Sequence, residues 1–562
     1  MKRTKIIITL GPAIENIHMM TSIIRAGADI ARINTAHGNI TYHQHLVERF
    51  KEASKKTKKF IGIMLDIKGP EIRTGEVEND EIELKEGKTL LLTSENIIGT
   101  SKRLSLNRSL SPFLDKGDIV LLDNGKIKLK VIKVKKDEIV TQIIQGGKIK
   151  GKRGVNVLGK DFPFPYLTRK DLNYLQFAVK NEIDFIAASF VRRANDIFEI
   201  KKALTEFKGN IPIIAKIETK SAIKHIEEIL WISDGIMVAR GDLGVEMPVE
   251  ELPEVQKYLL KMAIAQAKPT IIATQILETM INQPIPTRAE VSDIANAILD
   301  GADALMLSGE TAIGKYPIEA VKVLVKVAKK TETFFFKTSL FFELKGGISH
   351  NVSNAATLLA KEMEADAILC LTRSGKTARL ISRHKPKTKI LVATYNEKIL
   401  RQISILWGAQ GFLTKKLLTT DETITSAIQN ALKKRLLKKG NTIIITSGEP
   451  SGPSGITNII RVQVVGDILG KGVAFGKRRV RGKVCFGINE RGEILVRKEM
   501  PEIFTLLSFK GVIIENEIFN PEIIKKAVKK GVTIIIGVKN ILKHLKPGDV
   551  IQIDPKRGIV FR

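Results

Sequence analysis

Eight short runs rich in Ile, Val, Leu and Ala recur along residues 4–309, and they leave the chain few ways to fold. They are TKIIITL (4–10), ADIARIN (28–34), KFIGIMLD (59–66), DFIAASF (184–190), IPIIAKIE (211–218), DGIMVAR (234–240), TIIAT (270–274) and ALMLSG (304–309). Most are apolar almost throughout, as strands of a parallel sheet covered on both faces must be. Helical stretches such as AIKHIEEILWI (222–232) and VQKYLLKMAIAQA (255–267) separate them. Eight alternations of strand and helix predict an α/β protein built on a closed (β/α)₈ TIM barrel.

Polar residues collect where these runs end. The second run carries Arg32 and Asn34, the third Asp66, and the fifth Lys216 and Glu218; the sixth leads into Arg240 and Asp242, the seventh ends in Thr274, and the eighth leads into Ser308 and Glu310. A barrel keeps its chemistry at the C-terminal ends of its strands. Glu218 and Asp242 offer two hard oxygen ligands from adjacent strands. That suits Mg²⁺ or Mn²⁺, which accept one or two carboxylates and complete the shell with water and substrate oxygens. Lys216 precedes Glu218 by two residues, so both share one face of a strand. A lysine and a divalent ion on one site would neutralise the equatorial oxygens of a migrating phosphoryl group. A ring of stabilising salt bridges is the competing reading. No Ser-His-Asp or Cys-His pairing is apparent, and His37 reads as structural. The Gly-rich GGKIKGKRGVN (146–156) lacks the GKS or GKT of a Walker loop.

More than a hundred residues separate the third run from the fourth. They open with KGPEIRTG and continue as alternating polar and apolar strands with Gly-containing turns, ending near DFPFP (161–165). This predicts an inserted small β-barrel domain, placed where it can close over the site as a lid. Further apolar runs, AILCLT (367–372), KILVATY (389–395), NTIIITSG (441–448) and NIIRVQVV (458–465), predict a separate α/β unit. The last segment has short strands, one clear helix and a terminal hairpin. The expected division is 1–69 with 164–335 for the barrel, 70–163 for the lid, 340–466 for the α/β unit and 470–562 for the tail.

Composition narrows the function classes. No segment approaches the ~18–20 apolar residues of a membrane span. The basic-then-apolar start MKRTKIIITLGP reads as a strand and not as an export signal. Two cysteines with no CxxC spacing, Cys370 and Cys485, argue against a disulfide framework or zinc cage and for a reducing compartment. The net charge of +31 invites a nucleic-acid reading, but aromatics are 5% and do not interleave with the basic runs, so a solvated lysine-rich surface is the expectation.

With these residues in hand, the chain resembles pyruvate kinase. IARINTAHG, LDIKGPEIRTG, KGKRGVN, IIAKIET, IMVARGDLGVE, IIATQILETM, PTRAEVSDIANAILDGADALMLSGETAIGKYP and TSGEPSGPSGITNIIRV follow that family's motifs in order over about residues 2–465. The resemblance implies a barrel, a closing β domain and an α/β regulatory domain. It implies transfer of the phosphoryl group of phosphoenolpyruvate to ADP, giving pyruvate and ATP, the last step of glycolysis. Glu218 and Asp242 match the Mg²⁺ ligands, Lys216 the lysine that stabilises the phosphoryl in transit, and Arg32 the arginine that contacts it. Thr274 matches the threonine near the enolate face. The backbone N–H groups of Arg240, Gly241 and Asp242 match a carboxylate nest, and Arg73 and Lys152 match positions near the nucleotide. Asn34, Asp66 and the Ile67 carbonyl match ligands of the family's K⁺. The serine that completes that set is Ala36 here, so weakened K⁺ binding is expected, while Glu71 is the residue of K⁺-dependent members. The lid has Asp123-Asn124 where two aspartates are frequent, and Arg153 where lysine is common.

Thr372, Ser374, Gly375 and Thr377 in TRSGKTARLISRHKP resemble the family's effector loop for a sugar phosphate or AMP. The tail resembles the extra swivelling-type domain of some bacterial pyruvate kinases, related to the phosphohistidine domain of phosphoenolpyruvate-using enzymes. Its matching stretch, IIENEIFNPEII (513–524), has no histidine, so an α/β domain without phosphohistidine is expected. The family implies a cytoplasmic homotetramer, with no nucleic-acid or membrane partner. A Mg²⁺-dependent barrel lyase or aldolase acting on phosphoenolpyruvate or pyruvate would share the Glu/Asp pair and stands as the alternative.

Overall fold

The eight apolar runs become the eight strands of a closed parallel barrel: Lys5–Thr9, Ile30–Asn34, Gly62–Ile67, Phe185–Ala188, Ile213–Ile217, Gly235–Ala239, Thr270–Ala273 and Ala304–Met306. This is a computed structural model, and it describes residues 2–336, 346–415, 419–448 and 456–562. The 449–455 part of the last family motif and the expected start of the regulatory domain at 340 lie outside the described residues. Every strand residue of the barrel is buried except Asn34, which is half-buried at the rim. Helices pack around them over a continuous core that includes Ile8, Ile33, Leu65, Ile186, Ile217, Val238, Ile272 and Leu305.

Two helices differ from the sequence reading. The stretch 222–232 is two helices, Lys220–Lys224 and Ile226–Ile232, because His225 between them leaves helical geometry at φ −103°, ψ 20°. The helix expected over 255–267 runs Leu252–Ala265, beginning earlier because Pro253 is tolerated in a first turn.

The insertion is all β, with its own core of Leu90, Leu92, Val120, Leu129, Ile143 and Val155 among others. Its strands do not close into one ring. A six-stranded sheet, Val155–Val157, Ile119–Leu122, Ile127–Val134, Glu138–Gln145, Thr89–Thr93 and Arg103–Ser105 in spatial order, lies beside a ribbon of Gly147–Lys150 and Glu81–Leu84. The reason is local. The chain turns at Gly146, where an added Cβ would lie 2.2 Å from the Leu84 carbonyl, and leaves the large sheet to pair with Glu81–Leu84.

The described chain forms two compact units. The first holds the barrel, the insertion and the parallel pair Lys389–Thr394 and Ala409–Leu413. In the second, Ala367–Leu371 pairs in parallel with Thr442–Ser447, which pairs antiparallel with Ile459–Val464. Its C-terminal part is an eight-stranded mixed sheet with the expected hairpin, Val550–Asp554 and Ile559–Phe561, at its end. Three short helices accompany it, Ile503–Leu507, Pro521–Lys529 and Ile541–His544, where one was expected. Cys370 and Cys485 are both free and buried, and burial pushes the Cys370 thiol up to about 12.

Candidate active site

At the C-terminal rim, four charged side chains and one hydroxyl form a single network. Arg32 and Asp66 end neighbouring strands, and the Arg32 Nε donates to Asp66 Oδ2 at 2.7 Å. A second guanidinium nitrogen lies 2.7 Å from the same oxygen. Lys216 Nζ sits 2.9 Å from Glu218 Oε1, 3.3 Å from Asp66 Oδ1 and 2.7 Å from Ser189 Oγ. Ser189 Oγ in turn donates to Asp66 Oδ1 at 3.0 Å. The two-residue spacing of Lys216 and Glu218 therefore places both on one face, as expected.

All of these groups are buried, so their charges act in a medium far less screening than water. Burial alone would lower the lysine's pKa, but Asp66 and Glu218 outweigh it and hold Lys216 above the ordinary lysine range. Asp66 is held low: burial works against its charge, and Lys216 and Arg32 win. Glu218 is raised, by burial first and by Asp242 besides, against the pull of Lys216.

Glu218 is oriented from outside the cluster. The Phe190 N–H donates to its Oε2 at 2.6 Å, and Phe190 holds φ at +52°, in the left-handed region that L residues rarely adopt. The other oxygen, Oε1, is buried and accepts no aligned hydrogen bond although it lies beside Lys216. Asp242 stands in the first turn of the helix Arg240–Glu246, directly after the sixth strand. A Glu218 oxygen that accepts no aligned hydrogen bond beside Lys216, with Asp242 close by, fits a hard divalent ion. Among the described residues no group of three or more His, Cys, Asp and Glu could hold a metal, so such an ion would draw its remaining ligands from water and substrate.

Across the mouth, Thr274 and Gln275 both have positive φ, +66° and +53°. Such backbone costs on the order of 1–2 kcal/mol per residue, and it puts Thr274 Oγ1 where the Gly241 N–H donates to it at 2.8 Å. Arg240 braces the turn, donating to the carbonyls of Thr274 and Gln275 at 2.9 and 3.2 Å while pairing with Asp293 at 2.7 Å. Of the expected nest, the Gly241 N–H is thus taken by Thr274. Glu310 accepts the N–H groups of Leu277 and Ser308 and is a structural brace.

Above the cluster a cavity of about 330 Å³ opens between rim and lid, lined by Asp242, Thr219 and Phe190 below and Arg73, Asp123, Asn124 and Arg153 above. Arg73 pairs with Glu71 at 2.5 Å and donates to the Lys152 carbonyl at 2.7 Å. The Lys152 ammonium is turned away to Glu76, and Arg153 takes the cavity-lining position. Asn156 of the lid donates to Glu246 of the barrel at 3.0 Å.

The residues matched to the K⁺ set come together, but their oxygens are partly engaged. Asn34 Oδ1 accepts the Ala36 N–H at 3.1 Å, the Ile67 carbonyl accepts the Ser189 N–H at 3.4 Å, and both Asp66 oxygens face cations. Of the effector set, the Gly375 N–H donates to Thr372 Oγ1 at 3.0 Å, and Gly375, at φ +81°, opens the helix Lys376–Ser382. Ser374 and Gly375 line a second cavity of about 310 Å³ together with Arg379 and Lys398; Thr377 is buried in the helix.

Sequence reasoning missed Ser189 and the counter-charge role of Asp66. Ser189 lies inside an apolar run, and only the neighbourhood of the third, fourth and fifth strands shows what its hydroxyl meets.

Comparison with known proteins agrees with this geometry. The family model for the pyruvate kinase barrel domain matches residues 1–321, and that for the pyruvate kinase alpha/beta domain matches residues 350–463. Curated proteins named pyruvate kinase from Bacillus licheniformis and Geobacillus stearothermophilus are each 39% identical, covering 100% of this chain and 99% of their own. One from Staphylococcus aureus is 38% identical with the same coverage. The crystal structure of a pyruvate kinase from Cryptosporidium parvum superposes with a TM-score of 0.76 at 33% identity, over 82% of this chain and 96% of that one. A barrel with a lysine–carboxylate cluster at its rim, and relatives matched end to end, place this chain in the pyruvate kinase family.

Proposed function

We propose that the chain transfers the phosphoryl group of phosphoenolpyruvate to ADP, giving pyruvate and ATP, at the cluster of Lys216, Glu218, Asp66 and Arg32. The observation that carries this reading is Lys216, buried yet held charged by Asp66 and Glu218 beneath a cavity whose lining sets Arg73, Arg153 and Arg192 among carboxylates. Glu218 and Asp242 would hold Mg²⁺ or Mn²⁺. When bound, that ion supplies charge neutralisation at the phosphoryl and carboxylate oxygens. The protein's own work is positioning. Lys216 and Arg32 present fixed positive charge to the equatorial oxygens, with no reorganisation at the moment of transfer. Asp66 and Ser189 keep the lysine aimed. Thr274 stands at the enolate face with its hydroxyl holding the Gly241 N–H, which exchanges that partner for the substrate carboxylate when the turn Arg240–Asp242 receives it. The lid carries Arg73 toward the nucleotide, with Lys152 reaching it only on leaving Glu76, and excludes water on closing. A metal-dependent lyase or aldolase is not favoured by relatives that are pyruvate kinases over their full length.

K⁺ binds weakly in this reading. Asn34 and the Ile67 carbonyl keep lone pairs, Asp66 shares its charge with two cations, and Ala36 offers no oxygen. The loop at Thr372, Ser374, Gly375 and Thr377 takes an activating sugar phosphate or AMP. Residues 470–562 form an accessory domain of the phosphohistidine type without its histidine; His544, the single histidine there, spends its carbonyl on Arg562. The enzyme works in the cytoplasm as a homotetramer, with barrel, lid, regulatory and accessory domains in that arrangement along the chain. Among the described residues no helix is long and apolar enough to cross a membrane.

The deciding experiment is a coupled pyruvate assay with phosphoenolpyruvate, ADP and Mg²⁺ on wild type and Lys216→Met. Wild type should be ADP-dependent, and the variant should lose about three orders of magnitude or more in kcat, as loss of a charge aimed at the transition state implies. A fall of only a few fold contradicts the role of that lysine.

A further inference from the structure

The lid joins the barrel through two limbs, and both meet one short loop, residues 189–192. On the outgoing limb, Gly69 has φ +64° and lies so close that an added Cβ would be 2.5 Å from the Ser189 carbonyl. On the return limb, Tyr166 belongs to the barrel core and donates its hydroxyl to that same carbonyl at 2.7 Å. Two residues earlier, Phe164 packs on the lid core, stacked on Phe162 with ring centroids 5.5 Å apart. The mechanical boundary of the lid is therefore Pro165.

Arg192 grips the lid side of that boundary. Its guanidinium donates to the Phe162 carbonyl at 2.5 Å and to the Phe164 carbonyl at 3.3 Å. Asp196, one helical turn on and buried, fixes the guanidinium from behind, accepting from Nε at 3.1 Å and from Nη2 at 2.9 Å, and it also accepts the Arg192 N–H at 2.8 Å. This paired fork orients Arg192 as a point charge could not. Two residues before Arg192 the same loop supplies the Phe190 N–H to Glu218, and one residue before that the Ser189 hydroxyl to Lys216 and Asp66.

We propose that Arg192 is a positioning residue that couples lid closure to the orientation of the metal-binding carboxylate Glu218 through the loop 189–192. When the lid's return limb is seated on Arg192, the loop holds Phe190 in its left-handed conformation and keeps its N–H on Glu218 Oε2. When the limb lifts, the loop relaxes and Glu218 loses its anchor. The metal site is thereby completed only under a closed lid. This rests on the reading of Glu218 as a metal ligand.

The test uses the full chain with Mn²⁺ as probe. Free Mn²⁺ is measured by electron paramagnetic resonance, and hydrogen exchange is followed over residues 157–166. Removing a partner that orients a metal ligand costs about 10- to 100-fold in metal affinity. Arg192→Gln should therefore weaken Mn²⁺ binding about tenfold or more, raise KM for ADP and speed exchange over 157–166. Arg192→Lys should restore part of each, and Asp196→Asn should shift all three in the same direction by less. Wild-type Mn²⁺ affinity and wild-type exchange in Arg192→Gln would overturn the coupling. Should that variant not fold, the same outcome in Asp196→Asn overturns it equally. Glu218→Gln separates the two readings: it should abolish Mn²⁺ binding, and if it binds as wild type does, the metal assignment falls and the coupling with it.

Discussion

At the scale of single residues, the site's character comes from charge held against desolvation. Taking an ammonium out of water is expensive, and it persists in the interior only when paired and hydrogen-bonded. Lys216 has two carboxylates and a hydroxyl, so it stays protonated under conditions where an isolated buried lysine would not. The pair Lys216 and Glu218 was legible in the sequence because two-residue spacing in a strand fixes a shared face. Ser189 was not, because a serine inside an apolar run has many possible partners and only the strand order selects one. The K⁺ set shows the reverse case. Its members come together, yet Ala36 subtracts one oxygen and Asp66 is already committed to Arg32 and Lys216. Assays in Na⁺ or tetramethylammonium buffer, with K⁺ titrated in, should show activation that saturates only at high K⁺. Full activity without K⁺ would remove that ion from the site.

At the scale of elements, the apolar runs fixed the barrel because a buried parallel strand has almost no freedom in composition. The insertion was legible as all β but not in its connectivity, which depends on the departure at Gly146 and on register shifts between Lys128 and Leu129 and between Val131 and Lys133. A buried acid immediately precedes the fourth barrel strand. Asp184 accepts the Ile63 N–H at 2.9 Å and pairs with Arg401 at 2.8 Å, yet burial outweighs them and pushes its pKa up to about 6 from 3.8. A carboxyl raised on folding stabilises the fold fully below its unfolded value near pH 4, and that contribution is lost as pH rises through about 6. The loss is on the order of 2–3 kcal/mol for a shift of about two units. Asp184→Asn should flatten the melting temperature against pH between 4 and 6.5; parallel curves for variant and wild type would contradict it. The loop of Thr372, Ser374, Gly375 and Thr377, proposed above for an effector, belongs to this scale too. Ser374→Asp places a carboxylate beside the cavity lined by Arg379 and Lys398, and should abolish activation by a sugar phosphate or AMP while leaving unactivated turnover in place. An undiminished response would remove the loop from regulation.

At the scale of the whole molecule, the chain is strongly basic and forms two compact units, and the candidate site sits in the first of them. The net charge of +31 says little about function, since a charge summed over a whole chain names no ligand. What marked the function was the order of motifs along the chain, which no composition measure registers.

The two thiols carry one more consequence. Oxidants and electrophiles act on the thiolate, and this chain has only Cys370 and Cys485, both buried and both with pKa values raised by burial. Millimolar iodoacetamide on the native enzyme should leave turnover unchanged and both cysteines unalkylated, with both sulfurs labelled only after unfolding. Labelling at native pH with loss of activity would show that one of them opens to solvent. Thiol chemistry is thereby closed as a route to switching off the folded protein.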